Sequence, residues 1–356
     1  MSFMKHFHRF VLSAVALFTL LLGSSCEHRP LEDPFGRGRF IRVYLDENIR
    51  NVSFGFYDET KEKPQYSSPQ LMRVVCADPS TGMVMSERYL HETGRDERGY
   101  YIQGYITAPD GEYDVMAYTY DAADVEFLHE YSFNNLTAYS REVTQGEADR
   151  LFIKGTSKPL VEEPIHRQPG HLFVATVDSV EFGPINIGDT IFTAQGEHPV
   201  AESVVKTYYM QVNIKGAEYV KSAVALITGM AGSKTLHNNQ MVPEDVVSIY
   251  FNLQNGLNRS RQSERLYVAY SSFNTFGKLP HTEGYIDITF EFKTTYSTVQ
   301  TETFRVTDLF ETPMVRDQQW IIIDKTIEIK PPEGETGGGL SPGVGKWEQV
   351  EGSITI

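Results

Sequence analysis

The sequence predicts an all-β protein, and three observations predict it. From about residue 40 the chain is a succession of short runs rich in Val, Ile, Tyr, Phe and Thr, separated by clusters of Gly, Pro, Asn and Asp. Such runs suit a pleated, half-buried surface, and such clusters suit the turns between them. Ile286-Asp287-Ile288-Thr289-Phe290-Glu291-Phe292-Lys293 alternates apolar and polar residues throughout, which puts every apolar side chain on one face of a strand. Long amphipathic periodicity of the helical kind is absent. A sandwich or barrel of antiparallel strands, dry on one face and wet on the other, follows.

The elements can be justified in chain order. Lys5 and Arg9, the apolar run Phe10 to Leu22 and the small residues Gly23, Ser24 and Ser25 read as a signal peptide over residues 1–25. The run is shorter than the ~20 residues a membrane-spanning helix needs. Leu22-Gly23-Ser24-Ser25-Cys26 resembles a bacterial lipobox, so Cys26 is expected to carry lipid after cleavage. Gly23 stands where that motif usually has Leu. Residues 26–39 are polar and hold Pro30, Pro34, Gly36 and Gly38, a tether between lipid and body.

Within the body, Leu71-Met72-Arg73-Val74-Val75-Cys76 reads as a buried strand with an inert thiol. Asp78-Pro79-Ser80-Thr81-Gly82 and Ala108-Pro109-Asp110-Gly111 read as hairpin turns, because Pro presets the first corner and Gly accepts positive φ. Pro159 to Gly170 reads as a long loop, and Leu172 to Val177 as the strand after it. Turn residues crowd between Pro184 and Val204, so the expected domains are about 40–190 and 200–356. In the second, Tyr208, Met210, Val212 and Ile214 alternate with Tyr209, Gln211, Asn213 and Lys215, and Ile321, Ile323, Ile327 and Ile329 extend the pattern. Pro331 to Gly339 is a flexible connection to a last strand, Trp347 to Ile356, whose Val350, Ile354 and Ile356 share a face.

Charge and motifs narrow the function. With 32 Lys and Arg against 47 Asp and Glu, the net charge of −15 repels nucleic acid. Two cysteines, Cys26 and Cys76, build neither a disulfide framework nor a thiolate zinc site. No HExxH or dinucleotide fingerprint occurs. Gly229-Met230-Ala231-Gly232-Ser233-Lys234-Thr235 ends like a phosphate loop but is two residues short and lacks a helix pattern after it, so it reads as a hairpin turn. His91-Glu92, His129-Glu130, Asp121/Asp124 and Glu162/Glu163 are polar residues at strand ends and in loops, read as solvated surface. The aromatic stretch Tyr113 to Tyr120 could stack on sugars but reads first as sandwich core. No catalytic, cofactor or metal residue is therefore expected.

The start Cys26-Glu27-His28-Arg29-Pro30-Leu31, the segments Val204-Val205-Lys206-Thr207-Tyr208 and Ile214-Lys215-Gly216-Ala217-Glu218-Tyr219-Val220, and the end Gly337-Gly338-Gly339 with Trp347-Glu348-Gln349-Val350 resemble the fimbrillin-like lipoproteins of Bacteroidetes. The group in question is an uncharacterised-domain family related to minor-fimbrium anchor proteins. The resemblance implies two transthyretin-like β-sandwich domains in tandem, no enzymatic activity, and a fimbrial anchor or accessory subunit lipid-anchored to the outer membrane. Its expected partners are other fimbrial subunits, met by strand pairing, for which Trp347, Val350, Ile354 and Ile356 form the candidate assembly strand. In fimbrillin relatives an arginine-specific protease removes an N-terminal strand. Arg37, Arg39 and Arg42 offer such a cut here, yet it would sever the Cys26 lipid from the body, which favours an uncut anchor over a repeating shaft subunit. The competing expectation is a surface lipoprotein that captures a glycan or a host protein.

Overall fold

The structure is a computed structural model and describes residues 38–47, 67–144, 146–147, 163–183, 188–257, 267–280, 286–330 and 346–348. The first half of the chain supplies β1 (Arg39–Leu45), β2 (Met72–Ala77), β3 (Val84–Leu90), β4 (Glu92–Asp96), β5 (Gly99–Ile106), β6 (Gly111–Thr119), β7 (Val125–Leu128), β8 (Thr137–Ser140), β9 (Ile165–His166), β10 (Phe173–Phe182) and β11 (Val200–Ser203). The second supplies β12 (Lys206–Lys215), β13 (Val220–Ala231), β14 (Ser233–Thr235), β15 (Gln240–Met241), β16 (Val246–Asn252), β17 (Gln254–Leu257) and β18 (Tyr267–Thr275). It ends with β19 (Asp287–Thr294), β20 (Val299–Arg305), a one-turn-and-a-half helix α1 (Pro313–Gln318) and β21 (Trp320–Glu328). The protein is all-β, as its alternating pattern requires.

Eight strands make the first sheet, in the order β3-β2-β6-β10-β11-β1-β5-β4. Its two outer strands, β3 and β4, are consecutive in the chain, so the sheet rolls round and its ends meet through buried Leu90. Ile41, Val43, Met72, Val74, Cys76, Ile102, Val115 and Phe173 fill the interior. The period-2 pleat sends the alternate residues of β2 outward, and there Val75 and Ala77 join a second core with Met116 and Tyr118 of β6. That outer face is covered by a small sheet, β15-β14-β8-β7, whose strands come from both halves of the chain. Phe133, Leu136, Leu172, Val204, Val205, Leu236 and Phe276 complete the shared core.

The remaining layers are a five-stranded sheet, β20-β19-β13-β16-β9, and a four-stranded sheet, β17-β18-β12-β21. Between them lie Phe251 and Phe273, stacked with centroids 4.5 Å apart, with Phe290, Phe292 and the isoleucines Ile321, Ile323, Ile327 and Ile329. Every apolar residue of Ile286 to Phe292 is fully buried in this core. Most pairings are antiparallel, as expected, but β1 with β11, β12 with β21 and β9 with β16 run parallel.

Four local readings need correction. Asp78 to Gly82 is a true hairpin turn: Gly82 has φ 68° and Asp78 Oδ1 accepts the Ser80 and Thr81 amides. Ala108 to Gly111 is not, because β5 pairs with β1 and β4 while β6 pairs with β2 and β10. Nor is Gly229 to Thr235 a hairpin. Gly229, φ 73°, is a bulge within β13, the chain runs on into β14, and the turn falls at 236–239. The polar-facing set of β12 is not wet, since Tyr209, Gln211 and Asn213 are buried beside Val268, Tyr270 and Trp320, large side chains that cover one another on the outer face. Finally, the described part of Pro159 to Gly170 is no plain loop: Ile165 and His166 form β9 and extend the second-half sheet.

Candidate functional site

The conspicuous chemical groups prove to be structural. Cys76 is fully buried in β2, and burial pushes its thiol up to about 12, far from a reactive thiolate. Asp121 accepts the Gln70 and Leu71 amides, Glu130 holds Arg73, and Glu163 accepts from Gly229 N and Ser248 Oγ. Asp124 is nearly buried and lies 3.5 Å from Arg141 and 3.8 Å from Arg167. Glu162 lies outside the described residues. Tyr113 and Tyr118 are buried, so that stretch packs the interior. Among the described residues no three His, Cys, Asp or Glu side chains gather to hold a metal.

One constellation escaped the sequence reading. Ser140 Oγ lies 3.0 Å from His166 Nδ1, with Asp245 and Glu142 close enough to act on the ring. This has the look of a nucleophile and its base, but no motif joins residues 26 positions apart. Ser140 is fully buried and its hydroxyl also lies 3.2 Å from the Gly232 carbonyl oxygen. A nucleophile needs an open line of approach, which a sealed hydroxyl lacks. The pair pins β8 to β9 instead.

The geometry that bears on assembly is in the backbone. β1 is an interior strand, hydrogen-bonded to β5 from Arg39 to Tyr44 and to β11 at Tyr44 and Leu45. Ile41, Val43 and Leu45 are buried, and at about 1.5–3 kcal/mol each their burial alone rivals the stability of a domain. Arg39 donates to the Glu181 and Thr190 carbonyls, and Arg42 to Gln103 and Asp96. A protease binds its substrate as an extended strand, so a cut at Arg39 or Arg42 requires β1 to leave two neighbours first. At the other end, Trp347 is buried in the second-half core, edge-on to Phe292 at 6.2 Å, with Nε1 donating to the Ala217 carbonyl at 3.4 Å. Glu348 N donates to the Lys221 carbonyl at 2.9 Å, and its carboxylate meets Lys221 Nζ at 3.3 Å. Among the described residues, β21 has a strand on one side only, which leaves outward-pointing amides and carbonyls beside Trp320, Ile321, Ile322 and Ile323. Cys26, Arg37, Val350, Ile354 and Ile356 lie outside the described residues.

Comparison with known proteins gives this frame its relatives. A Bacteroides ovatus protein named "Putative fimbrium anchoring subunit Fim4B" is 25% identical over 266 residues, covering 68% of this chain and 74% of that protein. The crystal structure of a "putative adhesin" from Bacteroides ovatus superposes with a TM-score of 0.53 at 20% identity, covering 87% of this chain and 98% of that one, which shows a shared fold. The family described as "Domain of unknown function (DUF5119)" matches residues 62–252. That match takes in β2 through β16, every strand of the rolled sheet but β1 and most of the shared core, and covers more than half of the chain, which therefore belongs to the DUF5119 family.

Proposed function

We propose that the protein is a non-enzymatic lipoprotein of the outer membrane, an anchor or accessory subunit of a fimbrium, held by lipid on Cys26 and assembling with fimbrial subunits by strand pairing. The observation that carries this reading is the interior position of β1. β1, the first described strand after the tether read in the sequence, is held by both neighbours, which supports a body that is not cut from a lipid on Cys26. A fimbrium anchoring subunit among the relatives supports the same reading. The two halves then act as tandem transthyretin-like sandwiches, and the open edge of β21 is where a strand adds. That strand is either this chain's own Val350 to Ile356, following the seated Trp347, or one from another subunit. Among the described residues, Ser140, His166 and Cys76 are sealed in the interior, which supports a structural rather than a catalytic use of them.

The experiment is fractionation with co-purification. Wild-type protein should sediment with outer membranes and carry fimbrial subunits with it, and Cys26→Ala should release it into the soluble fraction, since stable anchoring depends on the acyl chains. Wild-type retention of the variant in membranes would remove the anchor from this account. The alternative, a surface lipoprotein that captures a glycan or a host protein, is favoured by one cluster on the first sheet.

A further inference from the structure

The outer face of β1, β4 and β5 carries a group of cations and rings that assembly does not explain. Tyr44 lies at its centre, its hydroxyl donating to Asp96 Oδ2 at 2.7 Å. Tyr101 meets the Tyr44 ring edge-on at 5.6 Å, and Arg42 stacks on Tyr101 with its guanidinium carbon 4.1 Å from the centroid. Arg98 lies in the turn between β4 and β5, where Asp96 Oδ1 fixes its backbone by accepting the amide at 2.9 Å. Its guanidinium carbon is 4.8 Å from the Tyr44 centroid. The His198 ring sits 5.9 Å from Tyr44 and 4.9 Å from Phe192.

The hydrogen bonding of this group is uneven. Arg42 is committed to Gln103 and Asp96, and Arg95 to Glu47. Arg98 is exposed, and among the described residues its guanidinium donates to nothing. His198 Nδ1 is buried and has no partner there either. Burial, and then Arg42 and Arg98, hold that imidazole below its ordinary pKa and so neutral. Phe192 is 44% exposed beside it. In a protein of net charge −15, a guanidinium that rests on Tyr44 with only the through-space field of Asp96 to balance it, and with His198 leading from the Tyr44 ring to the uncovered Phe192, is a place where a carboxylate gains rather than loses.

We propose that Arg98, His198 and Phe192 form a binding site for a carboxylated sugar, a hexuronate or a sialate. Arg98 takes the carboxylate by paired N–H donors, and the apolar face of the sugar ring lies on Phe192, whose ring is backed by that of His198. A neutral sugar would leave the guanidinium unsatisfied, and a small inorganic anion would leave Phe192 uncovered. The site lies away from the β21 edge in the fold, so its failure leaves the fimbrial reading standing, and the reverse is equally true.

The test is calorimetric titration of the full chain in detergent with methyl glucuronide, N-acetylneuraminic acid, methyl glucoside and inorganic phosphate. Saturable binding of one of the acidic sugars, at least about tenfold tighter than the neutral glucoside and phosphate, is expected. Arg98→Ala should weaken it at least about tenfold and Phe192→Ala several-fold, with Arg98→Lys between, because lysine keeps the charge but loses the fork. Melting temperatures of the variants report that the fold is intact. Failure of both acidic sugars to saturate by about 10 mM overturns the proposal. So does phosphate binding as tight as either sugar, or wild-type affinity in Arg98→Ala.

Discussion

Lys234 is a cation held where proteins seldom keep one. It is 5% exposed in β14, within the core shared by both halves, and its ammonium donates to the Val204 carbonyl at 3.0 Å. Burial, with Lys206 adding to it, lowers its pKa to about 8. An unfolded lysine keeps its proton to about pH 10.5, so between 8 and 10.5 the unfolded chain binds more protons and the fold gains stability as pH rises. Below 8 both states are charged and the full penalty of about 3 kcal/mol remains. We therefore expect the stability difference between Lys234→Met and wild type to favour the variant more at pH 7 than at pH 10.5, by about 2–3 kcal/mol in paired guanidinium unfolding curves. A difference that does not change with pH would mean the amine is solvated. His171 acts in the same sense in acid. Burial lowers its pKa to about 4, so an unfolded chain that protonates near 6.5 is favoured as pH falls from 6.5 to 4. Replacing His171 with Gln should flatten that limb of the pH–stability curve.

At the scale of elements, Gly216 closes the second half. It turns the chain out of β12 with φ 85°, and a Cβ there would press into the carbonyl oxygen of Ile329 as the chain leaves β21. Gly216→Ala should cost about 2–4 kcal/mol, more than left-handed strain alone, and melt early in calorimetry. The strands differ in what their sequence can carry. The apolar face of Ile286 to Lys293 survives because a strand's two faces depend on local parity, although Glu291 on the other face is buried as well. Ala108 to Gly111 has the chemistry of a turn, but the chain only bends there, at Asp110, because which strands flank it as partners depends on residues far along the chain. Tyr209, Gln211 and Asn213 look wet because their polarity is visible, while the covering Trp320 and Tyr270 arrive from elsewhere. Two-residue β9 is too short for any period. The site on the outer face of β1, β4 and β5 was invisible for the same reason: Tyr44, Arg98 and His198 become neighbours only when the sheet rolls. Trp347 itself is buried in the second-half core, where so large an aromatic side chain finds cover from water.

For the whole molecule, the terminal segment decides between self-completion and donation. Removing Trp347 to Ile356 takes an aromatic from the second-half core, and an Ala-scale loss of such a ring costs about 3–5 kcal/mol. A lowered melting temperature is the expected result, with fimbrial association measured alongside. An unchanged melting temperature with lost association would assign the segment to a neighbouring subunit instead.

The threading of the chain has a consequence for when the fold can exist at all. β9 leaves the first half to border β16, about 80 residues ahead, and β8 waits for β14, while β11 fills the gap between β10 and β1 only after residue 200. A chain delivered N-terminus first thus cannot finish its early strands until its middle has arrived. Non-local pairings of this kind slow folding and lengthen the interval in which strand edges are bare. A nascent subunit of this design passes through a stage at which its own edges are open to any strand nearby, so timing of delivery, as much as affinity, selects which strand fills them.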